Sequence, residues 1–104
     1  MTVGRAAEHA PRPVLTATIA VRGLAAAETL PRICGLLAQR ALVPRQLVGR
    51  RDGKHLYVDL QLEVETLEMI ERLIAKLDAM TLVERAWLVA SRAIDALPEH
   101  AEGS

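Results

Sequence analysis

The sequence predicts an α+β fold in which two helices cover one face of a four-stranded antiparallel sheet. Apolar residues recur at every second position in residues 15–22 and 54–62 and at helical spacing in two other segments, and residues 45–51 and 81–89 are predicted to add two further strands. These segments follow one another in the order βαββαβ within about 75 residues. Because both crossovers in this order are right-handed, the two helices are expected on the same side of the sheet, as in the ferredoxin-like sandwich.

The first strand and the first helix occupy residues 15–41. The strand is predicted from alternating apolar positions, namely Leu15, Ala17, Ile19 and Val21. Residues 23–27 form the exit loop, and the helix begins near Glu28 or Thr29, with Pro31 in its first turn. The apolar stripe of this helix comprises Leu30, Ile33, Cys34, Leu37 and Ala41. Cys34 is therefore expected to pack in the core as a small apolar side chain.

A hairpin, a second helix and a last strand complete the pattern. Residues 45–51 and 54–62 are predicted strands, separated by Asp52-Gly53, a typical two-residue hairpin turn. The second helix spans residues 66–79, with a buried stripe of Ile70, Leu73, Ile74 and Leu77. The last strand spans residues 81–89.

The sheet face opposite the helices has no covering element in the sequence. Alternation assigns to it a set of candidate interface residues: Thr16, Thr18, Tyr57, Gln61 and Trp87. For Trp87, a place in the core fits equally well, because both sides of the last strand carry apolar residues. A half-apolar open face on so small a domain indicates a partner. Side-by-side pairing of edge strands and face-to-face stacking both remain open.

Length and composition fit one globular domain. The chain has 104 residues, of which 51% are hydrophobic and 25% charged. Residues 1–13 are expected to form a flexible arm, residues 14–90 the folded domain, and residues 91–104 a tail. The sequence has neither a secretory signal pattern nor a run of 18 apolar residues, so we expect a cytoplasmic protein without membrane contact.

Composition also argues against several functions. Basic and acidic residues number 13 each, and Tyr57 and Trp87 are the only aromatic residues, which argues against nucleic-acid binding. The basic run of residues 45–54 is expected to be solvated hairpin charge, with docking of an acidic partner as the alternative. One cysteine excludes a disulfide framework and a paired-cysteine zinc site. No catalytic residue, no metal site and no cofactor are expected on this chain.

Two segments resemble a known family. The run Arg32-Ile33-Cys34-Gly35-Leu36-Leu37-Ala38-Gln39-Arg40-Ala41 resembles the first helix of ACT domains, which are small amino-acid-sensing modules. It is most similar to the Arg-Ile-x-Gly-Leu-Phe-x-x-Arg-Gly run of acetolactate synthase small subunits, and residues 70–86 resemble the matching second helix and strand. The resemblance covers about residues 14–90. It is to the short, single-domain isozyme II type of small subunit.

The resemblance implies a non-catalytic regulatory subunit of branched-chain amino acid biosynthesis. Such a subunit forms a homodimer and binds the catalytic large subunit of acetolactate synthase, which itself carries thiamine diphosphate, FAD and magnesium. Two alternatives of other classes remain open. One is a stand-alone ACT module that binds an amino-acid effector, and the other is a purely structural dimerisation domain.

The junction between the first strand and the first helix departs from the ACT ligand signature, Asn-x-Pro-Gly. The candidate effector loop comprises Ala25, Ala26, Ala27, Glu28, Thr29 and Leu30. An amino-acid effector presents its carboxylate to backbone amides at a helix N-terminus, where Glu28 places a negative charge. Since the isozyme II type, which valine does not inhibit, resembles this chain here, we expect little or no valine binding.

Overall fold

The computed structural model describes residues 15–94, so the predicted arm and residues 95–104 of the predicted tail lie outside the described residues. The elements follow in the predicted order: β1 (Leu15–Leu24), α1 (Thr29–Gln39), β2 (Gln46–Asp52), β3 (His55–Val64), α2 (Leu67–Asp78) and β4 (Val83–Ala93). The strands form one antiparallel sheet in the order β2-β3-β1-β4. The α+β, ferredoxin-like prediction is confirmed.

The core lies between the sheet and the helix layer. Strand alternation turns one set of side chains toward the helices, and their fully or nearly buried members are Ala17, Ile19, Val21, Val58, Leu60, Leu62, Val64, Val83 and Ala86. The helices contribute Ile33, Leu37, Ile70, Leu73 and Leu77. Because burial of one large aliphatic side chain contributes about 1.5–3 kcal/mol, this layer dominates the stability of the fold.

Helix α1 buries a narrower stripe than the sequence predicts. Its buried residues are Thr29, Ile33 and Leu37, which lie four residues apart. Cys34 is exposed, so its predicted place in the core is wrong. The reason is rotation along the helix, because the residue after Ile33 lies about 100° further around the axis and leaves the buried stripe.

Several strand boundaries also differ from the prediction: β1 continues through Gly23 and Leu24 of the predicted exit loop, β3 continues to Val64, and β4 begins at Val83 rather than at residue 81. Strand β4 continues to Ala93, because its last residues pair with the beginning of β1, down to Leu15 opposite Ala93. In the hairpin, Asp52 still pairs with His55, so the turn residues are Gly53 and Lys54. Gly53 has a φ of 64°, a left-handed conformation that glycine adopts without strain.

The helix ends are closed by local hydrogen bonds. Helix α1 ends in a Schellman motif, in which Leu42 N donates to Leu37 O at 2.9 Å and Ala41 N donates to Ala38 O at 3.0 Å. The motif holds Ala41 at a φ of 56°, which is unusual for a residue with a Cβ. At the start of α2, the Thr66 side chain accepts a hydrogen bond from Met69 N and so caps the helix.

Candidate functional site

The open face is defined here by the side chains that alternate away from the helix layer. They are Thr16, Thr18, Ala20, Arg22 and Leu24 of β1, Gln46, Val48, Arg50 and Asp52 of β2, His55, Tyr57, Asp59, Gln61 and Glu63 of β3, and Arg85, Trp87, Ala90 and Arg92 of β4, with Glu84 at a bulge. Two cross-strand rows form its centre. In β2-β3-β1-β4 order, one row is Val48, Asp59, Ala20 and Trp87, and the next is Arg50, Tyr57, Arg22 and Arg85.

All five predicted interface residues lie on this face, and each is half-buried. Thr16, Thr18 and Gln61 line a groove of about 590 Å³ at the end of the face where β1 begins and β4 ends. Tyr57 and Trp87 lie in the two central rows. For Trp87, the structure selects one of the two predicted places, because it pairs with Ala20 on the side away from the helices.

Both aromatic rings of the open face carry a stacked guanidinium group. Arg50 Cζ lies 4.9 Å from the centroid of the Tyr57 ring, and Arg85 Cζ lies 4.8 Å from that of Trp87. Each such stack is worth about 0.5–1 kcal/mol at an exposed site. The sequence carried a signal for one pair only, since Arg85 and Trp87 are two residues apart on one strand. The predicted Asp52-Gly53 turn would place Arg50 opposite His55, whereas the observed register pairs it with Tyr57.

The charges of the open face balance. Four arginines, Arg22, Arg50, Arg85 and Arg92, share it with Asp52, Asp59, Glu63 and Glu84. Glu84 accepts from Arg22 Nε at 3.1 Å and lies 3.3 Å from His55 Nε2. By contrast, neither Arg85 nor Asp59 forms an ion pair with any residue of the described range 15–94.

The candidate effector loop is closed by its own hydrogen bonds. Ala25 N donates to Lys54 O at 2.8 Å, which ties the loop to the hairpin turn. The Thr29 side chain is buried and donates to Leu24 O at 2.7 Å, while Thr29 N donates to Ala26 O at 3.1 Å. Among the first three positions of α1, Thr29 N is thus occupied and Pro31 has no N–H.

The rest of the loop fits poorly around a carboxylate. Leu30 offers the one remaining amide of those three positions, and the exposed Glu28 side chain stands immediately before the helix. An effector carboxylate would therefore meet a like charge and a reduced set of donors, where anion sites at helix N-termini present several amides together. Weak valine binding stays a prediction, for which this loop geometry gives the physical reason.

Gly23 serves packing rather than ligand approach. A Cβ at this position would lie 2.6 Å from the backbone oxygen of Leu82 and 3.2 Å from Thr29 Cγ2. The close approach lets Leu24 N donate to Leu82 O at 2.9 Å, at the point where β4 begins. The absence of a side chain at Gly23 thus allows the start of β4 to pack directly beside β1, next to Thr29 at the start of α1.

The exposed Cys34 borders a second concave region. Between the end of α1 and β2 lies an apolar groove of about 520 Å³, lined by Cys34, Leu37, Ala38, Ala41, Leu42, Val43, Pro44 and Leu47. Within residues 15–94, no group of three or more histidine, cysteine, aspartate or glutamate side chains is placed to hold a metal ion. No helix in that range is long and apolar enough to cross a membrane.

Solved structures define the fold class. The crystal structure of the ACT domain from GTP pyrophosphokinase of Chlorobium tepidum is similar, with a TM-score of 0.65 and 18% identity over 71% of this chain and 96% of that one. Its solution structure gives a TM-score of 0.59 and 17% identity over 79% and 88%. The C-terminal domain of the MgtC protein from Mycobacterium tuberculosis gives 0.58 and 18% over 84% and 95%.

These likenesses establish that the chain has the ACT-domain fold. The sequence matches no protein-family profile and no curated protein. At 18% identity the structural likeness concerns the fold, so function has to be argued from the surfaces of this chain.

Proposed function

We propose that the chain is a non-catalytic regulatory subunit, resembling the small subunit of acetolactate synthase, that acts by binding the catalytic large subunit. The observation that carries the proposal is the position of the motif on α1. Arg32, Gly35 and Arg40, which match the small-subunit run, are all exposed. Core packing therefore does not account for these residues, and an exposed run of this kind is suited to contact another polypeptide.

The mechanism would be a shift between conformations of the catalytic subunit. A partner that binds the competent conformation more tightly raises its population, with a typical coupling of about 1–3 kcal/mol, or 5- to 150-fold in an equilibrium constant. Thiamine diphosphate, FAD and magnesium would remain with the catalytic subunit. The regulatory chain contributes only binding energy.

The closed effector loop favours this role over that of a stand-alone amino-acid sensor. Thr29 N is used within the loop, Pro31 lacks an N–H, and Glu28 repels a carboxylate. A regulatory chain without an effector still changes the turnover of its partner, because its effect comes from its own binding.

The test is co-expression with the large subunit of acetolactate synthase from the same genome. We expect the two chains to co-purify and the turnover of the large subunit to rise. Arg32→Glu should weaken co-purification by about tenfold, since charged contacts at an interface commonly contribute this much. Lys54→Glu, the same charge reversal at the exposed hairpin turn outside both resembling runs, is the matched control and should leave it unchanged. Absence of both co-purification and a rise in turnover would remove the proposal.

A further inference from the structure

We propose that the apolar groove between α1 and β2 receives an amphipathic helix of the catalytic partner, one whose apolar stripe is bordered by carboxylates. The inference rests on the proposed function and deepens it, because it names the kind of segment that the partner inserts. The contact lies on a separate flank of α1 from Arg32, which is about 160° around the helix axis from the groove residue Cys34.

The helix layer leaves the edge strand β2 uncovered. Alternation turns Leu47, Gly49 and Arg51 toward the side of the helices, yet no residue of β2 is buried. A Cβ at Gly49 would meet no atom of the described residues within 4 Å. The helix side of β2 therefore has room for a further element beside α1.

The flank of α1 that borders this space is uncharged and made of small residues. Pro31, Cys34 and Ala38 follow one another at helical spacing, and all three are exposed. A helix flank that faces only water usually carries charged or polar side chains. Small side chains instead allow the axis of a second helix to approach to about 8–10 Å.

The loop that closes the groove exposes apolar side chains. Val43 is 86% exposed, and Leu42, Pro44 and Leu47 are half-buried around the same groove of about 520 Å³. A cluster of exposed aliphatic groups of this kind marks an interaction site. An amphipathic helix that lays its apolar stripe in the groove would cover these groups together with the flank of α1.

The charges of this region specify an acidic occupant. Every charged residue between Glu28 and Asp52 is an arginine, namely Arg32, Arg40, Arg45, Arg50 and Arg51. Two of them lie next to the groove, Arg40 at the end of α1 and Arg51 on the helix side of β2. Within residues 15–94, neither of these two forms an ion pair. Carboxylates at the borders of the partner helix would complement both.

The same surface disfavours other occupants. A second copy that docked its own groove about a two-fold axis would bring arginines against arginines. A nucleic-acid strand would find no ring to stack on, because Tyr57 and Trp87 both lie on the open face. A strand added to the edge of β2 would satisfy backbone groups but leave the apolar groove uncovered.

The experiment follows the reactivity of Cys34. It is the only cysteine of the chain and lines the groove, so reaction with a thiol reagent, read from the mass of the chain, measures access to the groove. The large subunit of acetolactate synthase from the same genome, at about ten times its dissociation constant, should slow the reaction roughly tenfold, because only about one chain in ten is then free. For the chain alone, the rate should be independent of its concentration.

Two matched pairs of variants locate the contact. Val43→Glu and Arg51→Glu should each raise the dissociation constant of the complex at least about tenfold, because both add a negative charge where the partner helix carries carboxylates. Val89→Glu on β4 and Lys54→Glu at the hairpin turn make the same kinds of change at exposed positions away from the groove, and should leave the constant unchanged. Circular dichroism confirms that each variant is folded.

The outcomes separate the inference from the proposed function. A complex in which Cys34 reacts as fast as in the free chain, or which Val43→Glu does not weaken, would overturn the inference and leave the proposed function standing. Equal weakening by Arg51→Glu and Lys54→Glu would place the acidic contact at the hairpin instead. Protection of Cys34 in the chain alone as its concentration rises would assign the groove to a second copy. If no complex forms, the proposed function and the inference are both wrong.

Discussion

Replacement of Ala41 by glycine should stabilise the chain. Ala41 sits at the C′ position of the Schellman motif with a φ of 56°, where a Cβ clashes with the local backbone at a cost of about 1–2 kcal/mol. Glycine removes that strain, but it also makes the unfolded chain more flexible, which lowers the free energy of unfolding by about 0.4–1 kcal/mol. The net gain should therefore be about 0–1.6 kcal/mol, centred near 0.8 kcal/mol. For a domain of this size the central value corresponds to a rise in Tm of roughly 3–6 °C.

The same substitution three residues earlier provides the control. Ala38 lies within α1, where glycine costs about 0.5–1 kcal/mol relative to alanine. Both residues are exposed, so neither change opens a cavity in the core. Urea denaturation of the two variants should thus give free energies of unfolding that move in opposite directions. If Ala41→Gly and Ala38→Gly destabilise the chain equally, the assigned left-handed conformation and the strain argument are both wrong.

Three further predictions concern other parts of the fold. Gly23→Ala should lower the free energy of unfolding by about 1–3 kcal/mol, measured with urea, because its Cβ meets the Leu82 carbonyl oxygen; an unchanged value would contradict that packing. Cys34 should react with a thiol reagent in the native chain at nearly the rate seen in urea. A much slower reaction in the native chain would show that Cys34 is buried in the core, as the sequence predicts. Titration with valine should release no heat, and Glu28→Gly should gain weak binding at most, since the Pro31 position still lacks a donor; a micromolar dissociation constant for the natural chain would refute the reading of the loop.

The sequence predicts the element order and the face of most residues in the two central strands, because β1 and β3 each have one side buried against the helices and one side that is open. The period of two in β1 and β3 records that difference directly, and it places Tyr57 and Thr18 correctly. A helix stripe is a weaker signal. Five apolar residues around α1 span more of the helix surface than the sheet covers, so only packing reveals that Cys34 falls outside the contact.

Pairing decides the features that local sequence does not contain. Residues 90–93 include two alanines, a serine and an arginine, which have little strand preference, yet they extend β4 because β1 offers free backbone groups to pair with. The ring-stacked arginines depend in the same way on register across strands. Such contacts become predictable only after the neighbour of each strand is known.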